Sequence, residues 1–114
     1  MISNYRQMRA MLIYDLPMID EEDIKTYNKF RKDIIKCGFY MVQYSVYTKV
    51  LQNETSFNQL INKVKLFVPN KGHIIIFKIT EKQFSNMIYL NGLQNKFETI
   101  VGGNELVVFG GDDT

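Results

Sequence analysis

Residues 20–38 spell out one complete amphipathic helix with both ends marked, and the apolar runs on either side of it have strand length. Asp20 is a good N-cap, Asp23 stands at the capping-box position, and the acids of the first turn suit the positive end of the helix dipole. Ile24, Tyr27, Phe30, Ile34 and Cys37 then recur at three- and four-residue steps, so one face is apolar. Gly38 follows as a natural C′ residue, free to adopt the left-handed conformation that closes a helix. A helix with one greasy face must lie on a second layer, and the flanking segments say what that layer is. Arg9 to Tyr14 reads as a central strand buried on both faces, closed by Asp15 and turned away at Leu16-Pro17.

Beyond the helix, Phe39 to Leu51 is rich in aromatic and β-branched residues and reads as one long bent strand, or as two short strands broken near Gln43 to Ser45. Thr55 to Val68 reads as a second amphipathic helix, stopped by Pro69. Lys71-Gly72 turns into His73 to Thr80, a further buried strand around Ile74 to Phe77. Glu81 to Asn86 suits a helical turn, Asn91 to Asn95 a loop, and Glu105 to Phe109 a last short strand between glycine pairs. Strand, helix, strands, helix, strand places two helices on one face of a sheet, an α+β sandwich. The opposite face is left without a cover, and a second copy packed sheet to sheet is the simplest way to bury it. A homodimer is therefore expected.

At 114 residues the chain is expected to form a single domain over 1–114, with residues 1–7 a short extension and 110–114 a tail. Such a chain buries roughly two-thirds of its unfolded surface without help from disulfides or metals. A content of 46% hydrophobic residues is globular, and the single Cys37 excludes an internal disulfide framework and any thiolate zinc cluster. No apolar run approaches the roughly 18 residues of a membrane span, and Ala10 to Tyr14 is too short for a signal-peptide core, so a cytoplasmic location is expected. A net charge of +2 falls well short of a strongly basic nucleic-acid-binding domain. Its distribution is more suggestive, because Lys25, Lys29, Lys32 and Lys36 fall in one stripe of the first helix. That stripe is either a solvated face or a track for a nucleic-acid backbone.

The sequence holds no phosphate-binding glycine loop, dinucleotide fingerprint, zinc-protease helix or calcium loop. His73 opens a strand and reads as a structural or surface residue, and Cys37 as a packed thiol. Asp15 stands at the carboxyl end of a buried first strand, where open sheets tend to place functional groups; it suits equally an Asx-type turn before Pro17. If a two-fold axis passes nearby, two Asp15 carboxylates approach each other, and a cation between them relieves the repulsion. Mg²⁺ suits one or two carboxylates completed by waters and phosphate oxygens, and polarises a phosphodiester. Tyr14 alternates to the opposite face and reads as a core aromatic. Arg31 lies at the margin of the apolar face, between Ile24, Tyr27 and Ile35, and needs a partner: a carboxylate, backbone carbonyls or a phosphate.

Several segments together resemble the CRISPR-associated protein two family, in its type II branch: Leu12-Ile13-Tyr14-Asp15-Leu16-Pro17, Phe30-Arg31-Lys32, Gly38-Phe39, Gln43-Tyr44-Ser45-Val46-Tyr47, Lys71-Gly72 and Thr80-Glu81-Lys82-Gln83-Phe84. No one of these is highly specific; their order and spacing across nearly the whole chain are. The resemblance implies a ferredoxin-like βαββαβ core with an added C-terminal strand, dimerising through its sheet. It implies a dimer that bridges two dimers of the CRISPR integrase (CRISPR-associated protein one) and holds duplex DNA for insertion as a new spacer. It further implies a metal-dependent endonuclease, acting on single-stranded RNA or duplex DNA, with Asp15 as Mg²⁺ ligand and catalytic residue. Tyr14, Arg31 and Ser45 occupy matching motif positions with less defined roles. The segment Met18-Ile19-Asp20-Glu21-Glu22 departs from relatives that carry arginines there, which shifts duplex contacts to Lys25, Lys29, Arg31 or Lys32.

Two functions follow. One is a Mg²⁺-dependent phosphodiesterase with Asp15 essential; the other is a non-catalytic dimeric adaptor of the integrase in which Asp15 is dispensable.

Overall fold

A computed structural model describes residues 7–92, so the expected last strand at Glu105 to Phe109, the tail and most of the Asn91 to Asn95 loop lie outside the described residues. The elements run β1 (Met8–Asp15), α1 (Glu21–Lys36), β2 (Tyr40–Gln43), β3 (Val46–Leu51), α2 (Glu54–Lys65), β4 (His73–Thr80) and α3 (Glu81–Ser85). The strands form one antiparallel sheet in the order β2-β3-β1-β4, which puts β1 in the middle as its apolar run requires.

Side chains alternate along β1 and divide the sheet into two faces. Ala10, Leu12 and Tyr14 enter the main core with Tyr27, Phe30 and Ile34 of α1 and Leu60 and Val64 of α2. Met11 points the other way and packs with Val42 and Phe84. The helices α1 and α2 thus cover one face, as expected, while among the described residues the other is only partly covered, with Phe84 of the short α3 packed on it. Thr80 caps that helix in a reciprocal box with Gln83.

The expected capping box of α1 is present, with Asp23 Nα donating to Asp20 and the Asp23 carboxylate accepting from the Asp20 backbone. Gly38 adopts φ +102° just past the Cys37 cap, and Cys37 itself is half-buried against the core. Ile24 departs from its expected place: it stands 41% exposed, because Asp23, drawn inward by its partners, takes the buried position at that turn.

Phe39 to Leu51 resolves into two strands. A two-residue turn at Tyr44-Ser45 joins them, and Ser45 takes the left-handed conformation at φ +66°. The pairing slips by one residue between Met41 and Gln43, a bulge that bends β2. Helix α2 ends at Lys65, short of the expected Val68: the Leu66 and Phe67 amides bond back three residues to Lys63 and Val64 in a tightened last turn, and Pro69 keeps Val68 itself out of helical geometry. Strand β4 is less buried than its sequence suggests: it is an edge strand facing the open side, where Ile75 is 57% and Phe77 39% exposed. Gln7, expected to belong to a bare extension, ties two elements together: its side chain donates to the Leu51 carbonyl and its own carbonyl accepts from Glu81 Nα.

Candidate active site

Asp15 is the last residue of β1, aligned in register with His73, the first residue of β4. Both are exposed. The alternation that sends Tyr14 into the core sends Asp15 to the open face, in line with Arg9, Met11 and Ile13. No Asx-type bond or ion pair engages its carboxylate among the described residues, so the turn-forming reading is set aside and the acid is free for other work.

The backbone around Asp15 is closely held. Gly72 sits at φ +73°, and a Cβ there would lie 2.5 Å from the Asp15 carbonyl oxygen and 2.7 Å from Leu16 Cδ2. Lys71, one residue earlier, reaches across to α1, where its Nζ lies 2.6 Å from Asp23 Oδ1. The Asp23 carboxylate also accepts from Ile19 Nα and Asp20 Nα. The Lys71 ammonium, followed by these backbone donors, holds its pKa below the ordinary Asp value despite the burial that opposes it. One ion pair thus pins the entry to β4, the entry to α1 and, through Gly72, the end of β1.

On the helix side of the same strand end lies a cluster of tyrosines. The Tyr14 ring meets Phe30 and Tyr27 edge-on at 5.1 and 5.7 Å and lies nearly parallel to Tyr47 at 5.9 Å. Tyr14 is buried, as expected of a core aromatic, and its hydroxyl has no hydrogen-bond partner among the described residues. Burial first, and then Tyr47 and Tyr27, push that phenol far above its ordinary range.

Arg31 finds no carboxylate partner among the described residues. Its Nε donates to the Tyr47 hydroxyl at 3.1 Å, and it forms no ion pair among the described residues. Of the expected partners, a carboxylate is thus not met within the described residues; instead a buried phenol from β3 aims the guanidinium, and the rest of this exposed side chain keeps its donors. Lys25, Lys29 and Lys32 are exposed on α1, with Lys29 Nζ 2.7 Å from Asp33 one turn on. Ser45 is the strained turn residue, and its carbonyl accepts from Tyr14 Nα at 3.1 Å, fastening the β2–β3 turn to the strand that ends in Asp15. The structure thus brings Asp15, Tyr14, Arg31 and Ser45 to one end of the sheet.

The sequence reading missed the buried Arg9 on the open face. Its guanidinium bonds Glu81 twice and the Tyr40 hydroxyl once, and lies 3.8 Å from the centre of the Phe84 ring. An arginine in period with Met11 and Ile13 was the available signal. Next to it, Met11, Ile13, Val42, Phe77, Ile88 and Leu90 line an open apolar cavity of about 540 Å³.

Among the described residues no group of three or more His, Cys, Asp or Glu side chains converges on one point. One carboxylate per chain suits Mg²⁺ only where other oxygens complete the shell, and a second Asp15 or a phosphate has the right hard-oxygen chemistry.

A four-stranded antiparallel sheet in this order, with two helices on one face, defines the ferredoxin-like α+β class. A crystal structure of Cas2 has the same fold, with a TM-score of 0.56 at 19% identity over 79% of this chain and 92% of that one. The model of the CRISPR associated protein Cas2 family matches residues 8–87, and the chain belongs to that family. It is 41% identical to the CRISPR-associated endoribonuclease Cas2 of Streptococcus mutans over 92% of this chain and 94% of that protein. It is 43% identical to the protein of the same description from Ligilactobacillus salivarius, over 78% and 88%. With that of Treponema denticola it shares 36% over 89% and 99%. No helix among the described residues is long and apolar enough to cross a membrane.

Proposed function

We propose that this chain acts in CRISPR adaptation as a homodimer formed through its open sheet face, and that the dimer is a Mg²⁺-dependent phosphodiesterase built on Asp15. The observation that carries the reading is the position of Asp15: an exposed, unengaged carboxylate at the end of the central strand, on the face that bears exposed Ile75 and Phe77. A second copy covering those side chains brings a second Asp15 toward the first, and two carboxylates with phosphate oxygens make a hard-oxygen site. Bound there, Mg²⁺ supplies Lewis-acid polarisation of the scissile phosphate and a lowered pKa for the attacking water. Gly72 and the Lys71–Asp23 pair hold the Asp15 backbone in place, while Arg31, aimed by Tyr47, offers donors to a neighbouring phosphate. Lys25, Lys29 and Lys32 extend the cationic track along α1. The relatives' description as endoribonucleases favours RNA as one substrate, with duplex DNA the other candidate.

The test is cleavage of labelled single-stranded RNA and duplex DNA by the wild type beside Asp15→Ala. Cutting that is abolished by EDTA and by the substitution supports the reading; equal cutting by both proteins overturns the site.

A second reading is favoured by the lone carboxylate: a non-catalytic adaptor that bridges integrase dimers and holds duplex DNA for spacer acquisition. It expects co-elution with the cognate integrase that survives Asp15→Ala, and failure to co-elute, with or without duplex, would sink it.

A further inference from the structure

Tyr44 is the one aromatic of the tyrosine cluster that faces solvent. It is 68% exposed at the tip of the β2–β3 turn, whereas Tyr14, Tyr27 and Tyr47 are buried. An exposed tyrosine on a hairpin tip is ordinarily unremarked, but this one is held from three sides. Its ring lies nearly parallel to the buried Tyr27 ring, 27° apart with centroids at 6.0 Å. Its hydroxyl lies 3.9 Å from Met18 Sδ. The residue after it, Ser45, accepts the left-handed conformation at φ +66° and is fastened by its carbonyl to Tyr14 Nα. A non-glycine residue in that region costs about 1–2 kcal/mol, and the turn that carries the cost is the one that presents Tyr44. The ring is packed on Tyr27 and most of its remaining surface is open to solvent.

Arg31 lies one helical turn from Tyr27, the ring that Tyr44 packs on, and on the same side of α1. The Arg31 charge acts on the Tyr44 phenol, opposing the rise caused first by the Tyr27 hydroxyl. Arg31 is anchored by Nε to Tyr47 and forms no ion pair among the described residues. Lys32 and Lys36 belong to the separate solvent-facing stripe of α1, so Arg31 is the cation on the Tyr27 side of the helix.

We infer that Tyr44 and Arg31 form a single-strand subsite, in which an unpaired nucleobase stacks on the open face of Tyr44 and its phosphate is held by Arg31. The aromatic face accepts any base, and the guanidinium carries the backbone. Bases paired in a duplex are stacked on each other and cannot reach the ring, so the subsite selects single strands at the end of the sheet that holds Asp15. It rests on the reading of this chain as a protein that acts on nucleic acid, and not on cleavage.

The experiment measures binding in EDTA, with no cutting, of a 2-aminopurine-labelled single-stranded oligonucleotide and of the corresponding duplex. Wild type, Tyr44→Ala, Tyr44→Phe and Arg31→Met are compared, each checked for an unchanged far-UV spectrum. Loss of one stacked base by Tyr44→Ala should weaken single-strand binding about tenfold. Tyr44→Phe should retain the wild-type affinity and the quenching of 2-aminopurine, and duplex binding should be unmoved by either change. Arg31→Met should weaken the single strand and flatten its salt dependence. Equal single-strand affinity for wild type and Tyr44→Ala overturns the subsite, as does an equal loss on single strand and duplex. If Tyr44→Ala spares the single strand but abolishes co-elution with the integrase, Tyr44 is a protein-docking residue instead. Single-strand binding without cleavage by the wild type leaves the subsite standing while the phosphodiesterase reading fails; no binding of any nucleic acid removes both.

Discussion

The Arg9 guanidinium meets the Glu81 carboxylate fork to fork, with Nε 2.7 Å from Oε1 and Nη2 3.0 Å from Oε2. The pair joins β1 to the first turn of α3 across 72 residues of chain. Burial works against the Arg9 charge, but the bonds to Glu81 and Tyr40 outweigh it and leave the guanidinium above its ordinary pKa. The two ends are unequal: the Arg9 side chain is 9% exposed and that of Glu81 37%.

That inequality predicts unequal mutations. Glu81→Ala leaves a buried cation facing Tyr40 and Phe84 without its counter-charge, and should cost about 3 kcal/mol, the lower end for a broken buried pair because water reaches the Glu81 side. Arg9→Met removes the buried charge and leaves Glu81 to be solvated, and should cost less. Urea unfolding midpoints check both; a milder Glu81→Ala than Arg9→Met would contradict the assignment of Arg9 as the desolvated partner.

Tyr14→Phe should stabilise the protein. The Tyr14 hydroxyl is buried without a partner among the described residues, and leaving a polar group in that state costs about 1–3 kcal/mol. The phenylalanine ring keeps the contacts with Tyr27, Phe30 and Tyr47. Calorimetry should therefore show a higher melting temperature, by a gain of about 1 kcal/mol. A loss of stability would mean that the hydroxyl is satisfied.

Gly72→Ala is expected to be among the most damaging single-methyl additions. The position needs φ +73°, and the new Cβ would collide with the Asp15 carbonyl and with Leu16. The conformational part alone costs about 1–2 kcal/mol, and the collision moves Asp15. Gly92→Ala serves as the control, since φ is +90° there but nothing among the described residues lies within 4 Å. The expected result is a larger loss of stability for Gly72→Ala, and a loss of any Asp15-dependent cleavage that exceeds its loss of folded protein.

Much of this arrangement was legible before the structure, and the part that was not has a common cause. Helix α1 announces itself through Asp20, Asp23 and Gly38 because caps and periodicity are local. Tyr14 and Asp15 fall on opposite faces because strand alternation is local too. The Tyr44-Ser45 turn carries no glycine or asparagine, so its position between the two strands stayed open. Arg31 showed that it needed a partner but not which one, since the Tyr47 hydroxyl arrives from another element. Arg9–Glu81 and Asp23–Lys71 are long-range pairs, and nothing in the spacing of either end names the other. Helix α2 stops at Lys65 although its apolar pattern runs on to Val68, because the tightening of the last turn at Leu66 and Phe67 leaves no mark on that pattern.

The Asp23–Lys71 pair makes stability pH-dependent at both ends. Asp23 is held below its ordinary value of 3.8, so it binds fewer protons folded than unfolded. Its contribution is complete above that value and is lost as pH falls through the lower folded pKa. Lys71 is raised above its ordinary 10.5, chiefly by the Asp23 carboxylate, so its contribution is complete below that value and is lost as pH rises through the higher folded pKa. Asp23→Asn should flatten the acid limb of a urea-midpoint profile while lowering the neutral plateau. An unchanged acid limb would show that Asp23 is not the group being protonated.

Ile75→Lys tests the proposed dimer and the proposed shared site together. Ile75 lies on edge strand β4 opposite Ile13 and is already 57% exposed, so a lysine there has access to water and should change the stability of the single chain by no more than about 0.5 kcal/mol. In a dimer that covers the exposed apolar side chains of this face, Ile75 and Phe77 among them, the same lysine would be buried without a partner, where a charge is not tolerated. Sedimentation should therefore show monomers with an unchanged far-UV spectrum. If two Asp15 carboxylates hold one cation, Mg²⁺-dependent cleavage should vanish with the dimer even though each chain keeps its own Asp15. Dimers that persist would place the two-fold contact elsewhere, and monomers that still cleave would make one Asp15 sufficient.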